Sequence, residues 1–574
     1  MTERSHTVGL VAVTAAGNAL AARIETALPG RAARVAAGST GADSLRSAFA
    51  ECDAVVAVMA AGAVVRILAP QIAAGSKQTD PAVLVVDDAG RFVVPVLGGH
   101  AAGANALAVE VAEALGAQPV LTTATDAQGL PGLDALGWPA HGDLAGVARR
   151  LLDGEPVRVT MPRRWPLPSL GPSAVVEIGD DPSSDGVAVS DLVDVDAAVV
   201  LRPPSLVAGM GASRGVEVDE ADELLRTALA DAGLAAESVA VIASAEIKAD
   251  EAGLVELAQR WGVPFVVHPA TLLERVRVPN PSEVVRRAVG VPSVAEAAAL
   301  LGTRGRADDA ELVVPKRASA HATVAIARHA PRGRLAVIGL GPGSADLLTA
   351  AARSELRRAA VVVGLDQYVD QIRHLLRPGV EVLASALGAE EERAHTAVAK
   401  AREGHAVALI GSGDAGVYAM AAPALEVADD SIDVVGVAGV TAGLAAAAVL
   451  GAPLGHDHCY LSLSDLHTPW PVIERRVRAA AEADLVVVCY NPRSVKRDWQ
   501  LDRALELLAA HRPPDTPVGV VRNATRPDQT AWVSTLADLD TTRVDMYSLV
   551  IVGASTTRIV GGRMVTPRGY RWAP

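Results

Sequence analysis

Aromatic residues are scarce, seven Trp, six Tyr and three Phe in 574 residues. That excludes a stacking platform for single-stranded nucleic acid, which needs an aromatic ring for each successive base, and leaves Ala, Val and Leu, the stock of parallel α/β layers, to build the cores. Cysteine is equally sparse. Cys52, Cys459 and Cys489 are odd in number and widely separated, so they offer neither a disulfide framework nor a metal-ligand cluster, and a reducing, cytoplasmic compartment is expected. Positive charge is in deficit, 52 Lys and Arg against 66 Asp and Glu for a net charge of −14. That sign repels phosphate backbones and anionic lipid, so no nucleic-acid and no membrane partner is expected. Long apolar runs are missing too. Val434–Gly455 is uncharged but carries five glycines and a proline; it divides into a strand, VVGVAG, and an Ala-rich helix, VTAGLAAAAVL, too short to cross a bilayer. Thr7–Ala22 has the look of a signal-peptide apolar region, yet TVGLVAVTA is strand-like and Gly17-Asn18 interrupts it. No fixed-period repeat is visible.

What is present is an alternation of β-branched runs, Gly or polar turns, and Ala/Leu-rich stretches. LVAVTAAG, AVVAVMAAG and AVLVVDDAG each read as a strand with its turn, and HAAGANALAVEVAEAL reads as a helix, which predicts βα units on a mainly parallel sheet. The fold class expected is α/β in several domains. Residues 1–129 form the first. Residues 130–204, dense in Pro and polar turns, form a small irregular or β-rich module with exposed edges. Residues 205–302 return to α/β grammar, 303–334 are charge-rich and read as a linker ending in HAPRGR, and 335–574 form the last part. The G-x-G turns at Gly209, Gly339 and Gly411 read as strand-to-helix turns. Lys248 and Glu251 of EIKADE fall at i and i+3 and read as a surface ion pair. His100 and Asn105 flank a helix start after Gly-Gly, a pocket for an acidic side chain in which His100 is the candidate general base.

Six loops of the last part follow strands. GLGPGSADLLT, Gly339–Thr349, lets backbone approach a ligand end. GSGDAG, Gly411–Gly416, matches G-x-G-x-x-G and keeps a nucleotide-dependent oxidoreductase open; Asp414 inside it opposes a pyrophosphate and suits a sugar hydroxyl or a cation such as a sulfonium. AGVTAGLAAAA, LSLSDLHTPW, VCYNPRS and VVRNATRPDQ stand at or just beyond strand ends, where open α/β sheets place ligands.

On these motifs Leu335–Gly562 resembles the tetrapyrrole methylases and, among them, the precorrin-3B C(17)-methyltransferases: GLGPG, GSGD with GVYAM, GVTA, SLSDLHTPW, YNPRS and RNATR occur in order. Ala415 stands where proline is common, and His467 where an aliphatic residue is expected. The resemblance implies two α/β subdomains with a boundary near residue 455 and a homodimer. It also implies S-adenosyl-L-methionine in the cleft, lined by Pro342, Gly413, Asp414, Val417, Thr441, Ala442, Asn491 and Ala524, with a precorrin-3B-type tetrapyrrole above it. Tyr368, Ser464 and Asp465 are its candidate acid–base residues for ring contraction; no metal is implied. Roughly Thr7–Gly302 is similar to the cobalt-precorrin-5A hydrolases, through AAGAVVRILAPQ, GGHAAGANALA, GMGASRG, ASAEIKADEAGLVELA and SVAEAAALL, with Gly98 where serine is usual and Ala102 where glycine is usual. That implies opening of a macrocycle lactone with release of acetaldehyde. The expected protein is thus a bifunctional enzyme of corrin-ring assembly in transient contact with other enzymes of that route; a tetrapyrrole-binding module is the alternative for the N-terminal half.

Overall fold

Strands rich in Val and Ala can be covered on both faces, and the first sheet shows this: every residue of Ala54–Val58 and Ala82–Val86 is buried. The computed structural model describes residues 8–35, 40–75, 79–99, 102–283, 286–287, 290–386 and 388–570. His100 lies outside them. The chain forms two compact units, one of Met1–Arg164, Ser169–Pro331 and Arg377–Gly379, the other of Trp165–Pro168, Arg332–Leu376 and Val380–Pro574.

The first unit holds three sheets. In the first the strand order is Ala32–Arg34, Val8–Ala12, Ala54–Val58, Ala82–Val86, Phe92–Leu97, Gln118–Pro119. All neighbours run parallel except Phe92–Leu97, which turns back on Ala82–Val86 because the Asp87 carboxylate accepts the N–H groups of Arg91 (2.7 Å) and Phe92 (2.8 Å) and closes a tight turn. Leu20, Ile24, Leu107 and Val111 cover one face, Leu45, Phe49, Val64 and Leu68 the other, each contributing about 1.5–3 kcal/mol. After Leu97 the chain passes through Gly98 at φ 70°, where an added Cβ would lie 2.7 Å from the Ala102 methyl. The two departures from the hydrolase pattern therefore compensate each other: Ala102 fills the space that a side chain at 98 would need.

The second sheet, Ala140–Gly142, Val199–Leu201, Val187–Val189, Val157–Met161, Ala174–Ile178, leaves Val175, Val176 and Ile178 of its edge strand exposed. The third has the order Phe265–His268, Val239–Ala245, Leu206–Ala212, Ala322–His329, Ala310–Ala318. Residues 303–334 are therefore not a linker. Ala322–His329 pairs antiparallel along the whole of Leu206–Ala212, with Val324, Ala325, Ile326 and Ala327 fully buried, and three of the charges that suggested a linker, Glu311, Lys316 and Arg317, sit on the edge strand Ala310–Ala318, where they protect an open edge. Gly209 is not a turn either. It lies mid-strand, where a Cβ would come within 1.9 Å of Ala295 O, so its absence lets the wholly buried helix Val294–Leu301 lie against the sheet. Asp191 joins the second and third sheets: it accepts Nε and Nη2 of Arg328 (2.7 and 2.8 Å) and the Ser205 hydroxyl (2.6 Å). The Lys248–Glu251 pair (3.1 Å) is not on the surface, for the side chains are 16 % and 5 % exposed. Glu251 also accepts Gly215 N–H at 2.7 Å. Burial works against its charge, but those donors more than offset it and hold the carboxyl below its ordinary value.

The second unit begins with an all-parallel sheet of order Glu381–Ser385, Val361–Leu365, Ala406–Gly411, Arg334–Gly339, Asp433–Val437. The helix Ala442–Leu450 leads to a mixed sheet of order His458–Ser462, Val486–Tyr490, Ser548–Val552, Pro517–Arg522, Thr530–Thr535, in which only the first pair is parallel. Among the described residues no helix is long and apolar enough to cross a membrane.

Candidate active site

The strands Arg334–Gly339, Ala406–Gly411 and Asp433–Val437 end side by side, and their loops interlock through backbone. Gly341 and Gly413 exchange both hydrogen bonds, at 3.0 and 2.8 Å. A Cβ on Gly339 would lie 2.7 Å from Gly413 O and 2.8 Å from Gly439 N, and one on Gly439 would lie 2.2 Å from Gly413 O. These glycines are required for close approach of three chains. The helix after GSGDAG starts only at Ala421 and has seven residues, so the helix N-terminus that a dinucleotide pyrophosphate needs directly behind the glycines is absent, which removes the oxidoreductase reading. Asp414 Oδ1 accepts Gly416 N–H (2.8 Å) and Oδ2 accepts Gly439 N–H (3.0 Å), tying its own loop to the next; Val417 N–H returns to Asp414 O at 3.2 Å.

Across from these loops stands a group the sequence reading missed. Tyr490, the last residue of Val486–Tyr490, accepts Gly443 N–H at 2.8 Å and shares a 2.5 Å hydrogen bond with Thr441 Oγ1. Thr441 is at the N-cap of Ala442–Leu450 but makes no side-chain cap there, its hydroxyl being held by the tyrosine. Tyr490 packs against Tyr418 and Tyr460 with ring centroids 5.4 and 5.5 Å apart, and Tyr418 donates its hydroxyl to Tyr460 O at 2.9 Å. Half of the chain's six tyrosines thus meet at one place. Burial pushes all three phenols up, and the Asp414 charge adds to this at Tyr490, so they stay protonated. Their positions in GVYAM and YNPRS were the available signal.

Left-handed backbone is concentrated here. Tyr418, Asn491, Asn523 and Thr525 have φ of 52°, 49°, 49° and 65°, a conformation that costs about 1–3 kcal/mol at a non-glycine residue and gathers at functional sites. Ala524 is buried between two of them. Thr525 Oγ1 accepts Ser344 N–H (3.2 Å) and Arg526 Nε donates to Pro342 O (3.2 Å), so the GLGPG loop of the first sheet meets the RNATR loop of the second. Asn491 donates to Ser462 Oγ at 3.2 Å.

Ser464 and Asp465 lie beside a second unforeseen residue. Arg497 donates Nη1 to Ser464 Oγ and Nε to Asn491 O, both at 3.2 Å; burial lowers the pKa of its guanidinium, and the Asp465 charge works the other way. Asp465 Oδ2 accepts Gln500 Nε2 at 2.9 Å. Tyr368 is not brought to this group. It packs in the core under the first sheet beside Leu375 and Leu376 and makes no hydrogen bond to Ser464 or Asp465 among the described residues. His467 is exposed.

Residues 334–540 match the family model described as tetrapyrrole (corrin/porphyrin) methylases. The chain is 48 % identical over 239 residues to the probable cobalt-factor III C(17)-methyltransferase of Salmonella typhimurium, which covers 41 % of this chain and 99 % of that protein. The chain belongs to the tetrapyrrole methylase family. The precorrin-3B C(17)-methyltransferase of a Sinorhizobium species is 43 % identical to this methylase over 252 residues, 42 % of the chain and 98 % of that relative. The cobalt-factor III methyltransferase of Priestia megaterium is 40 % identical over 247 residues, where the match spans about half of the relative, 46 % of its length. A crystal structure of the methyltransferase CobJ matches with 38 % identity and a TM-score of 0.40 over 41 % of this chain and 100 % of that one. Outside the methylase region, residues 43–126 and 206–327 match the models described as cobalamin synthesis G N-terminal and C-terminus.

Proposed function

We propose that the second unit transfers a methyl group from S-adenosyl-L-methionine to C-17 of a precorrin-3B or cobalt-factor III type macrocycle, with ring contraction, and that the first unit opens a lactone of the contracted ring. The observation that carries the first reading is the interlocked glycine turns facing three neutral tyrosines and Asp414. That donor set fits a sulfonium cofactor: ring faces and a carboxylate attract a cation. When bound, the sulfonium supplies an electrophilic methyl group for in-line displacement. Pro342, Gly413, Asp414, Val417, Thr441, Ala442, Asn491 and Ala524 are proposed to line it. Asp414 holds two loops in register, Tyr490 fixes Thr441 and the start of Ala442–Leu450, and the left-handed backbone at Asn523 and Thr525 holds Ala524 in place. The contribution of these groups is orientation, the main protein term in a displacement of this kind. Arg497, with Nη2 unpaired among the described residues, is the group to take an acidic side chain of the macrocycle, beside Ser464 and Asp465, the proposed proton-handling pair.

The test is the mass spectrum of each macrocycle, with and without cobalt, after incubation with the full chain and S-adenosyl-L-methionine. Gain of one methyl mass, lost in Asp414→Ala, is expected, and the metal form consumed identifies the substrate. Bound S-adenosyl-L-methionine with no mass change on either macrocycle overturns the substrate assignment. Acetaldehyde from cobalt-precorrin-5A tests the first unit.

A further inference from the structure

Of the large apolar side chains in the described residues, the two most exposed stand on neighbouring loops of the second unit, Val495 fully and Leu466 at 73 %. Leu466 is on the loop after the strand His458–Ser462, and Val495 is on the loop after Val486–Tyr490. These strands are adjacent and parallel, so both loops leave the same end of the mixed sheet, the end at which Tyr490 stands. Single exposed apolar residues are ordinary, but these two are held out by the local fold. Ser494 and Arg497 exchange both backbone hydrogen bonds, at 2.8 and 3.1 Å, which makes a two-residue hairpin with Val495 and Lys496 at its tip. Three ties fix that loop to its neighbour. Arg497 Nη1 donates to Ser464 Oγ at 3.2 Å, Gln500 Nε2 donates to Asp465 Oδ2 at 2.9 Å, and the Trp499 and Trp470 rings meet edge to face with centroids 4.8 Å apart. Trp499 keeps 47 % of its surface exposed. Loops tied in this way cannot fold over their own tips, so only something from outside covers them.

We infer that Leu466, Val495 and Trp499 form an apolar lip that takes the flat face of the macrocycle, while Lys496 and Arg497 pair with acidic side chains at its rim. This rests on the proposed reading of the second unit as a methyltransferase acting on such a macrocycle. The flanking charges favour an anionic occupant. Lys496 is exposed and makes no ion pair among the described residues, and Arg497 Nη2 has no partner and is open to solvent. Arg493, Lys496 and Arg497 outnumber Asp498 on their loop, and Asp465 opposite is engaged by Gln500. Three apolar side chains are too few for a second copy of the chain, since a stable protein interface takes about 20–30 residues a side. They suit one face of a single small molecule whose carboxylates reach the cations beside it. The lip binds and orients; it takes no part in moving a proton or a methyl group.

The experiment is steady-state methyl transfer by the full chain, with S-adenosyl-L-methionine saturating and the macrocycle that wild type consumes varied. Val495→Ser and Leu466→Ser are each expected to raise the KM for the macrocycle by about tenfold, with kcat within about twofold, the pattern of a contact made equally before and during the reaction. Val495→Ile is expected to keep the wild-type KM. Lys496→Met is expected to raise KM and to weaken its dependence on salt, since a screened charge is lost. S-adenosylhomocysteine affinity by calorimetry, thermal unfolding and sedimentation are expected to stay as in wild type, because the tips touch neither the cofactor loops nor a core. An unchanged KM in both serine variants overturns the inference alone. A serine variant that sediments as a smaller species assigns the lip to a second copy of the chain and overturns it as well. No methyl transfer by wild type to either macrocycle overturns the substrate reading and the inference with it.

Discussion

Asp414 shows how much one side chain can organise when both of its oxygens are engaged by backbone. Asparagine keeps the shape but presents N–H groups to one of the two amides, Gly416 or Gly439. Loss of a charge-assisted hydrogen bond is worth about 1.5–3 kcal/mol, so Asp414→Asn is expected to weaken S-adenosylhomocysteine binding by about 10- to 150-fold, measured by titration calorimetry on the full chain. Tyr490→Phe acts differently. It leaves Gly443 N–H without its acceptor and frees Thr441, a cost of about 1–3 kcal/mol in stability of the second unit, read by urea unfolding. Gly98 and Ala102 allow a test of compensation in the first unit. Gly98→Ser alone meets the Ala102 methyl at 2.7 Å in a left-handed position and is expected to destabilise by about 1–3 kcal/mol. Adding Ala102→Gly is expected to recover part of that loss, leaving a coupling of about 1 kcal/mol in a double-mutant cycle. The motifs that mark the loops proposed for the cofactor were legible because glycine and the residues beside it are set by local backbone demands. Tyr490 and Arg497 were not, since their partners Tyr460, Ser464 and Thr441 lie 30, 33 and 49 positions away in sequence, and spacing along the chain carries no trace of that.

At the scale of elements, the helix Val294–Leu301 has no exposed face, and its C-terminal carbonyls are met by two histidines: His268 Nε2 lies 2.8 Å from Gly302 O, and His329 Nε2 lies 2.8 Å from Ala299 O. Burial pushes both imidazoles below the ordinary 6.5, so both are neutral donors. The folded pKa values are depressed, so between them and 6.5 the unfolded chain binds more protons. The stability is therefore whole above 6.5 and lost as pH falls through the folded values. The protection of the amides of Val294–Leu301 against hydrogen exchange, taken relative to the intrinsic rate at each pH, is expected to fall between pH 7 and 5, and His329→Asn to flatten that dependence. The strand Ala310–Ala318 shows why some elements escape sequence reading. Its Glu311, Lys316 and Arg317 are the charges an edge strand carries, and charge density alone does not distinguish an edge from a linker. The parallel strands, apolar on both faces, had no such ambiguity.

For the molecule as a whole, each unit carries its own grammar of strands and turns, but neither is one continuous stretch of chain, since the first takes in Arg377–Gly379 and the second Trp165–Pro168. What a fusion does is not written in either grammar, but chemistry constrains it. On the proposed functions, contraction creates the lactone and its opening is a later step than the one that follows contraction, so the product of the second unit would leave this chain before returning to the first. Direct hand-over then confers no advantage in rate. A relative is matched over 99 % of its own length by 239 residues of this chain, a length close to that of residues 332–574. Residues 332–574 alone are therefore expected to transfer methyl within about threefold of the intact chain's rate, the change expected of an inter-domain boundary that carries no catalytic residue. An equimolar mixture of 1–331 and 332–574 is expected to release acetaldehyde from cobalt-precorrin-5A as fast as the fused protein. A mixture that lags the fused chain in acetaldehyde release, while 332–574 methylates normally, would show instead that covalent linkage itself serves the hydrolytic unit.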